Sequence, residues 1–302
     1  ILIGTAGHGN SDTIDGGAGT DTISATLATT IAASISGVET YNITYNTGGA
    51  LNASSITGAS TMNVLSGTAT LATITNLASG VTVVNGSTAS EAETITIDTV
   101  DDATLTVKLD DAASGALTIT DAATVTITGA DAASTTSVAN TVLDNTDTTS
   151  LTIVGADAAY AMDIGAITGQ GALTSLTAST STATGTLTVG AYADVGELTS
   201  LSLTSSAASL TFSTGANIGA DSDGAEGESL ATVTLNATNS TIDFGDGQTI
   251  YLDSVSDSTT DLTSTWTITT ATSGTVNAGG IDNTYGITTV DASNNNGTAM
   301  SI

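Results

Sequence analysis

A short alternating string returns along this chain at a nearly constant interval. It reads TSLTI at 149–153, TSLTA at 174–178, TSLSL at 199–203, ATVTL at 231–235, STWTI at 264–268 and TTVDA at 288–292. The central residues Leu151, Leu176, Leu201, Val233, Trp266 and Val290 are 25, 25, 32, 33 and 24 residues apart. Within most of the strings an aliphatic residue alternates with Thr or Ser, the period-2 pattern of a strand that buries one face. A second short string follows each one: AMDI (161–164), TLTV (186–189), SLTF (209–212), TIDF (241–244), TVNA (275–278) and AMSI (299–302). A unit of two strands and two corners is too thin to close a core of its own. It buries its apolar row by stacking on the next copy of itself. The chain is therefore expected to be all-β, a parallel β-solenoid or β-roll-like stack of short strands with Thr ladders between coils. The competing reading is a tandem of β-sandwich domains with similar strands.

The two long steps contain acidic inserts, DSDGAEGE (221–228) and FGDGQTIYLDSVSDS (244–258), at one corner of the repeat. In the first half the beat is shorter: Ile74, Ile95 and Leu117 are 21 and 22 residues apart, with Val83 and Leu105 between them. Three regions follow from these shifts: a glycine-rich segment at 1–25, a β-rich solenoid-like region at 26–148, and the repeats of about 25 residues at 149–302. ATLATTIAASI (25–35) is the one stretch that reads as a short helix.

Composition narrows the partners. One basic residue, Lys108, stands against 30 acidic ones, for a net charge of −29. With no basic patch to neutralise phosphates, nucleic acid and anionic membrane are excluded as partners. No apolar run is long enough to span a bilayer. The chain begins at Ile1 without a basic leader and is expected to be a fragment of a longer one. It has no cysteine, so an extracellular protein of this kind needs a staple other than disulfides. Divalent cations are the obvious substitute.

The glycine-rich segment is built to hold one. Gly16-Gly17-Ala18-Gly19-Thr20-Asp21-Thr22-Ile23-Ser24 matches every fixed place of the nonapeptide G-G-x-G-x-D-x-U-x. The preceding nine residues, Gly7 to Asp15, keep the same frame, with His8 and Asn10 in glycine places and Asp12 in the aspartate place. Glycine permits positive φ, so carbonyls can turn inward, and Asp adds a charged oxygen. Hard oxygen donors of this kind suit Ca²⁺.

These nonapeptides resemble those of the RTX family of secreted calcium-binding proteins. The resemblance implies a parallel β-roll with Ca²⁺ between coils, Asp12 and Asp21 giving side-chain ligands and the turn residues Asn10, Gly17 and Gly19 the others. It also implies a partner turn about eighteen residues away, yet Thr30 and Ile3 stand at those places. The sites are thus half-built or completed by other segments. SGVETYNIT (36–44), TITNLASGVTVVNG (73–86), ALTSLTAS (172–179) and TVDASNNNGTAMSI (289–302) are similar to RTX-type surface-layer (S-layer) proteins of Gram-negative bacteria. That likeness implies type I secretion, a cell-surface location and self-assembly into a calcium-dependent lattice. It places attachment to cell-surface polysaccharide in a region outside this fragment.

Other carboxylates extend the candidate set. Asp221, Asp223, Glu226 and Glu228 crowd one insert, two of them in the D-x-D-G pattern of a calcium loop. Asp243 and Asp246 follow a strand and turn on glycines, while Asp101-Asp102 and Asp110-Asp111 flank the strand that holds Lys108. Ten residues is close to half a coil, which puts those two pairs at opposite corners. The plainer reading of each is a solvated insert or a cap on turn backbone. An enzyme is not expected. His8 is the only histidine and lies inside the calcium turn, Lys108 is a lone surface charge, and Trp266 sits at a core anchor. A calcium-dependent S-layer protein is the leading expectation, a calcium-stiffened adhesin or extracellular rod the second, and a β-solenoid polysaccharide-active enzyme a remote third.

Overall fold

A computed structural model describes residues 2–3, 12–46, 49–65, 71–86, 94–110, 114–129, 136–144, 146–155, 161–169, 171–180, 186–190, 198–206, 209–212, 230–238, 240–244, 249–251, 263–271, 275–277, 280–282, 287–291 and 299–301. Every strand pairing among them is parallel, and no helix occurs there. Two long sheets, called front and back below, run the length of the stack.

The front sheet starts with Leu2–Ile3 against Thr22–Leu27 and continues through Thr40–Tyr45, Thr61–Leu65 and Thr82–Asn85. The second arms of Thr94–Leu109 and Ser114–Gly129 come next. Ser150–Val154, Ser175–Ser179, Ser200–Ser205, Thr232–Thr238, Thr263–Ala271 and Ile287–Asp291 complete it. It runs without a break across residues 25/26 and 148/149. The back sheet takes the companion strands, from Thr30–Ile31, Ala50–Asn52 and Leu71–Leu77 to Thr275–Asn277 and Ala299–Ser301. Between back and front, the first coils add a short face, Thr13–Asp15 beside Ser34–Ser36, with Ile35 bridged to Ile56.

The repeat read from the sequence is the repeat in space. Leu151, Leu176, Leu201, Val233, Trp266 and Val290 are successive partners in register. The companion row, Met162, Leu187, Leu210, Ile242, Val276 and Met300, is paired in the same way. Alternation sorts the faces: in Ser175–Ser179, Leu176 and Ala178 are buried while Ser175, Thr177 and Ser179 face outward, half-buried. Each aliphatic side chain taken from water this way contributes about 1.5–3 kcal/mol. The interior is a column of them, topped up where Phe212 and Phe244 stack at a centroid distance of 5.4 Å and an interplanar angle of 12°.

Two expectations fail here. Residues 25–35 are not helical but belong to Thr22–Leu27, Thr30–Ile31 and Ser34–Ser36. Their inward residues Leu27, Ala33 and Ile35 meet the coil above, and the β-branched content suits the extended chain. The early beat is also shifted by two residues. Ile74 pairs with Ile97 and Val83 with Val107, whereas Ile95 meets Ala72 and Leu105 meets Val125. A slip of two leaves the same side chains facing inward, so alternation by itself cannot fix that register. Ile95 and Leu117 do pair as their spacing suggests.

Candidate metal centre

The chain enters each front strand through a corner, and that corner collects carboxylates. In the nonapeptide turn, Gly17 (φ 83°) and Gly19 (φ 130°) adopt the left-handed conformations that the glycine pattern predicts. Gly16 passes so close to the Gly37 carbonyl that a Cβ would overlap it. Asp21 follows at the foot of Thr22–Leu27. Its backbone N–H donates to Glu39 Oε2 at 2.8 Å, and its own Oδ2 is buried with no hydrogen-bond partner among the described residues. Glu39 lies eighteen residues beyond Asp21, at the spacing of the next coil. The carboxylate missing at Thr30 and Ile3 is thus supplied by Glu39. An orphaned carboxylate oxygen beside a second carboxylate fits a hard cation, with Asp21 and Glu39 as the side chains that would hold it. Asp12 immediately precedes Thr13–Asp15 and belongs to no group of three carboxylates among the described residues.

Further along the same corner, Asp121, Asp144 and Asp147 each place a carboxylate oxygen within 4.8 Å of the others. Asp121 joins the two arms of Ser114–Gly129 in a left-handed conformation (φ 64°), which Asp tolerates better than most residues. Asp144 and Asp147 occupy the corresponding corner one coil on, ahead of Ser150–Val154. Hydroxyls staple that corner to the coil before it: Thr148 Oγ1 donates to the Ala122 carbonyl at 2.9 Å and Thr149 Oγ1 to Ala123 at 3.2 Å. The Thr149 device recurs with Thr174 to Thr149 and Thr199 to Thr174.

The environments of the three are unequal. Burial raises the Asp121 pKa first, and the like charges of Asp98, Asp101, Asp144 and Asp147 raise it further. Asp144 is held below the usual carboxylate range. The Thr146 N–H (2.9 Å) and hydroxyl (2.7 Å) donate to it, and the backbone N–H groups of Asp121 and Asp147 add to this against the opposing effect of burial. Asp144 is thus the carboxylate whose charge its surroundings favour, and Asp121 the one whose charge they oppose. Calcium–oxygen distances of about 2.4 Å place opposite ligands about 4.8 Å apart, so three oxygens at this spacing suit such an ion.

The other candidates fall as follows. Asp101 and Asp102 are exposed in the same corner, one coil before Asp121, with Asp102 at φ 57°. Asp110 is exposed at the opposite end of the same strand arm, so the two positions do lie at opposite corners. Asp243 ends Thr241–Asp243, half-buried and outside the cluster. Asn10, Asp111, Asp221, Asp223, Glu226, Glu228 and Asp246 lie outside the described residues. Asp121, Asp144 and Asp147 were not singled out from the sequence. The available signal was Asp144 standing 23 residues after Asp121, close to one coil.

A cavity of about 110 Å³ lies in the first coils, walled by Ile23, Leu27, Ile31, Ile35, Ile43 and Leu51 among others. Its polar lining is Thr26, Thr29 and Tyr41, with no carboxylate, and the Tyr41 hydroxyl is buried without a partner among the described residues.

Fold and site together define a parallel β-solenoid with an acidic corner running beside its front sheet. No family model, no curated protein and no solved structure matches the chain.

Proposed function

We propose that this protein is a structural component of the cell surface, a calcium-stiffened rod that assembles with copies of itself into a two-dimensional S-layer lattice. The observation that carries the reading is the corner cluster of Asp121, Asp144 and Asp147 on a stack of coils. Carboxylates superposed in this way repel at neutral pH, and a divalent cation converts the repulsion into a clamp between coils. The chain supplies one basic residue against 30 acidic ones, so the cation comes from solution. Outside the cell Ca²⁺ is the abundant hard cation, and the likeness of 16–24 to RTX repeats supports that location. Asp121, Asp144 and Asp147 would hold one ion and Asp21 with Glu39 another. At −29 the metal-free subunit repels its copies and stays dispersed. Calcium then gates both stiffening and assembly.

The experiment adds millimolar Ca²⁺ to metal-free protein and images the product by electron microscopy. Ordered sheets that dissolve on chelation are the expected result. Persistently monomeric rods overturn the lattice and favour a calcium-stiffened adhesin. Calcium-independent sheets overturn the metal's part.

A further inference from the structure

The carboxylates are not spread evenly over the solenoid. On the front sheet an outward column runs from Thr22 through Thr126 and Thr152 to Thr267, one residue per coil, and every one of these eleven members is Thr except Ser202; the next partner in register, in the last strand, is Asp291. The column two residues further on holds Ser, Asn, Val, Thr and Lys108, and its Asn63 and Asn42 side chains bond to each other at 2.7 Å. Flanking Thr and Ser residues such as Thr124, Ser150 and Ser175 widen the face. From Thr22–Leu27 to Thr263–Ala271 no outward front-sheet residue is acidic. The only charge there is Lys108, the chain's single basic residue, half-buried near the middle of the sheet. Among the described residues, the carboxylates of the entering corner (Asp21, Glu39, Asp121, Asp144) form a rim along one edge of this neutral stretch.

We propose that the front face is the surface through which two copies of this chain pack, face to face about a two-fold axis. The proposal rests on the self-assembly reading above and identifies the surface used. Three physical points select a second copy as the occupant. Two subunits of charge −29 approach best where neither presents a carboxylate, and from Thr22–Leu27 to Thr263–Ala271 this face is such a surface. Its size is adequate: eleven strands at about 4.8 Å, each about 16 Å wide, give roughly 800 Å², one side of a standard interface. It is also self-complementary, because threonine hydroxyls both donate and accept and their methyls pack, as an isologous contact requires. With the two-fold axis parallel to the strands, pairing brings the two acidic rims to the same edge, so contact forms when divalent cations occupy them.

The test compares the wild-type chain with Thr152→Glu and Lys108→Glu, which put a carboxylate on the face, and with Thr96→Glu, which puts one on the outward side of the back sheet. Sedimentation velocity in millimolar Ca²⁺ reads the association, and circular dichroism melts verify that each variant folds. If Thr152→Glu does not fold, Lys108→Glu tests the same face at a position that already carries a charge. The expected result is dimers or larger assemblies for wild type and Thr96→Glu, with association of the front-face variants weakened at least tenfold, as expected of like charges facing each other. Folded front-face variants that assemble as well as wild type overturn this interface and leave the lattice reading standing. Equal loss in Thr96→Glu also overturns it, because charge rather than the face is then responsible. A wild-type chain that stays monomeric with calcium overturns both.

Discussion

Replacing Asp121 by Asn should stabilise the metal-free protein and weaken its response to calcium. Asn tolerates the left-handed conformation at φ 64° about as well as Asp, so the backbone is not strained. Asp121 lies within 4.8 Å of both Asp144 and Asp147. Each contact between unit charges at that distance repels by about 0.9 kcal/mol in water and about 3.5 kcal/mol at an effective dielectric near 20. Physiological salt halves these values, roughly, over 4.8 Å. Two contacts then amount to about 1–4 kcal/mol, and the half-exposed setting of all three residues selects the lower end. A gain of about 1 kcal/mol raises the melting temperature by about 2–4 °C for a chain of this size or somewhat smaller. With calcium the sign reverses. Wild type gains RT ln(1 + [L]/Kd), about 2.7 kcal/mol at a hundredfold excess over Kd, and the variant, lacking one ligand charge, gains less. Calorimetry with chelator and with calcium reads both effects. A variant that melts lower than wild type in chelator, or that keeps the full calcium shift, refutes the argument.

The core ladder predicts a loss of about 2–5 kcal/mol for Leu176→Ala, since Leu176 is fully buried between Leu151 and Leu201; urea unfolding checks it, and a loss below about 1 kcal/mol would mean that the coils do not depend on these contacts. Gly16→Ala forces a Cβ into the Gly37 carbonyl and should cost about 1–3 kcal/mol by thermal melting. The pH dependence of the metal-free chain has two windows of opposite sign. Asp121, with its pKa raised, makes the native state bind more protons than the unfolded one, so stability falls as pH rises from the ordinary carboxylate value through the raised one. Asp144, with its pKa lowered, contributes stability that is lost as pH falls through its native value. Maximum metal-free stability should therefore lie near the ordinary carboxylate range, measured as melting temperature against pH, and calcium should flatten the upper limb.

The second half of the stack was legible because each coil repeats the same frame. Alternation gives the inward face, and the fixed step from Leu151 to Val290 gives the partner. In the first half the frame varies, and alternation tolerates a slip of two, which is how Ile74 came to be aligned with Ile95 rather than Ile97. Residues 25–35 looked helical because Ala and Leu are as frequent there as β-branched residues, whereas the stack above them decides their conformation. The site was legible only where its residues are neighbours in sequence. Gly17, Gly19 and Asp21 announce themselves within nine residues, while Asp121 and Asp144 meet only after the chain has gone once around. Counting eighteen forward from Asp21 reaches Glu39; counting backward to Ile3 misses it.

One corner combines variable length with acidic chemistry, and the solenoid explains the combination. The long steps of 32 and 33 residues fall between Leu210–Phe212 and Thr232–Thr238, and between Thr241–Asp243 and Thr263–Ala271. These are the connections that enter the front sheet, as do the corners of Asp21, Asp121 and Asp144. The inserts leave the register untouched, because Leu201, Val233 and Trp266 remain partners in sequence. An added loop of moderate length costs only slowly increasing closure entropy, whereas a change inside the column disturbs two neighbours at once. The stack therefore fixes its aliphatic rows and leaves the entering corner free to vary. Carboxylates gathered at that corner stay beside the neutral front face without interrupting it. The surface on which copies can meet and the rim on which a cation can act are thus neighbours, and the repeat itself places them side by side.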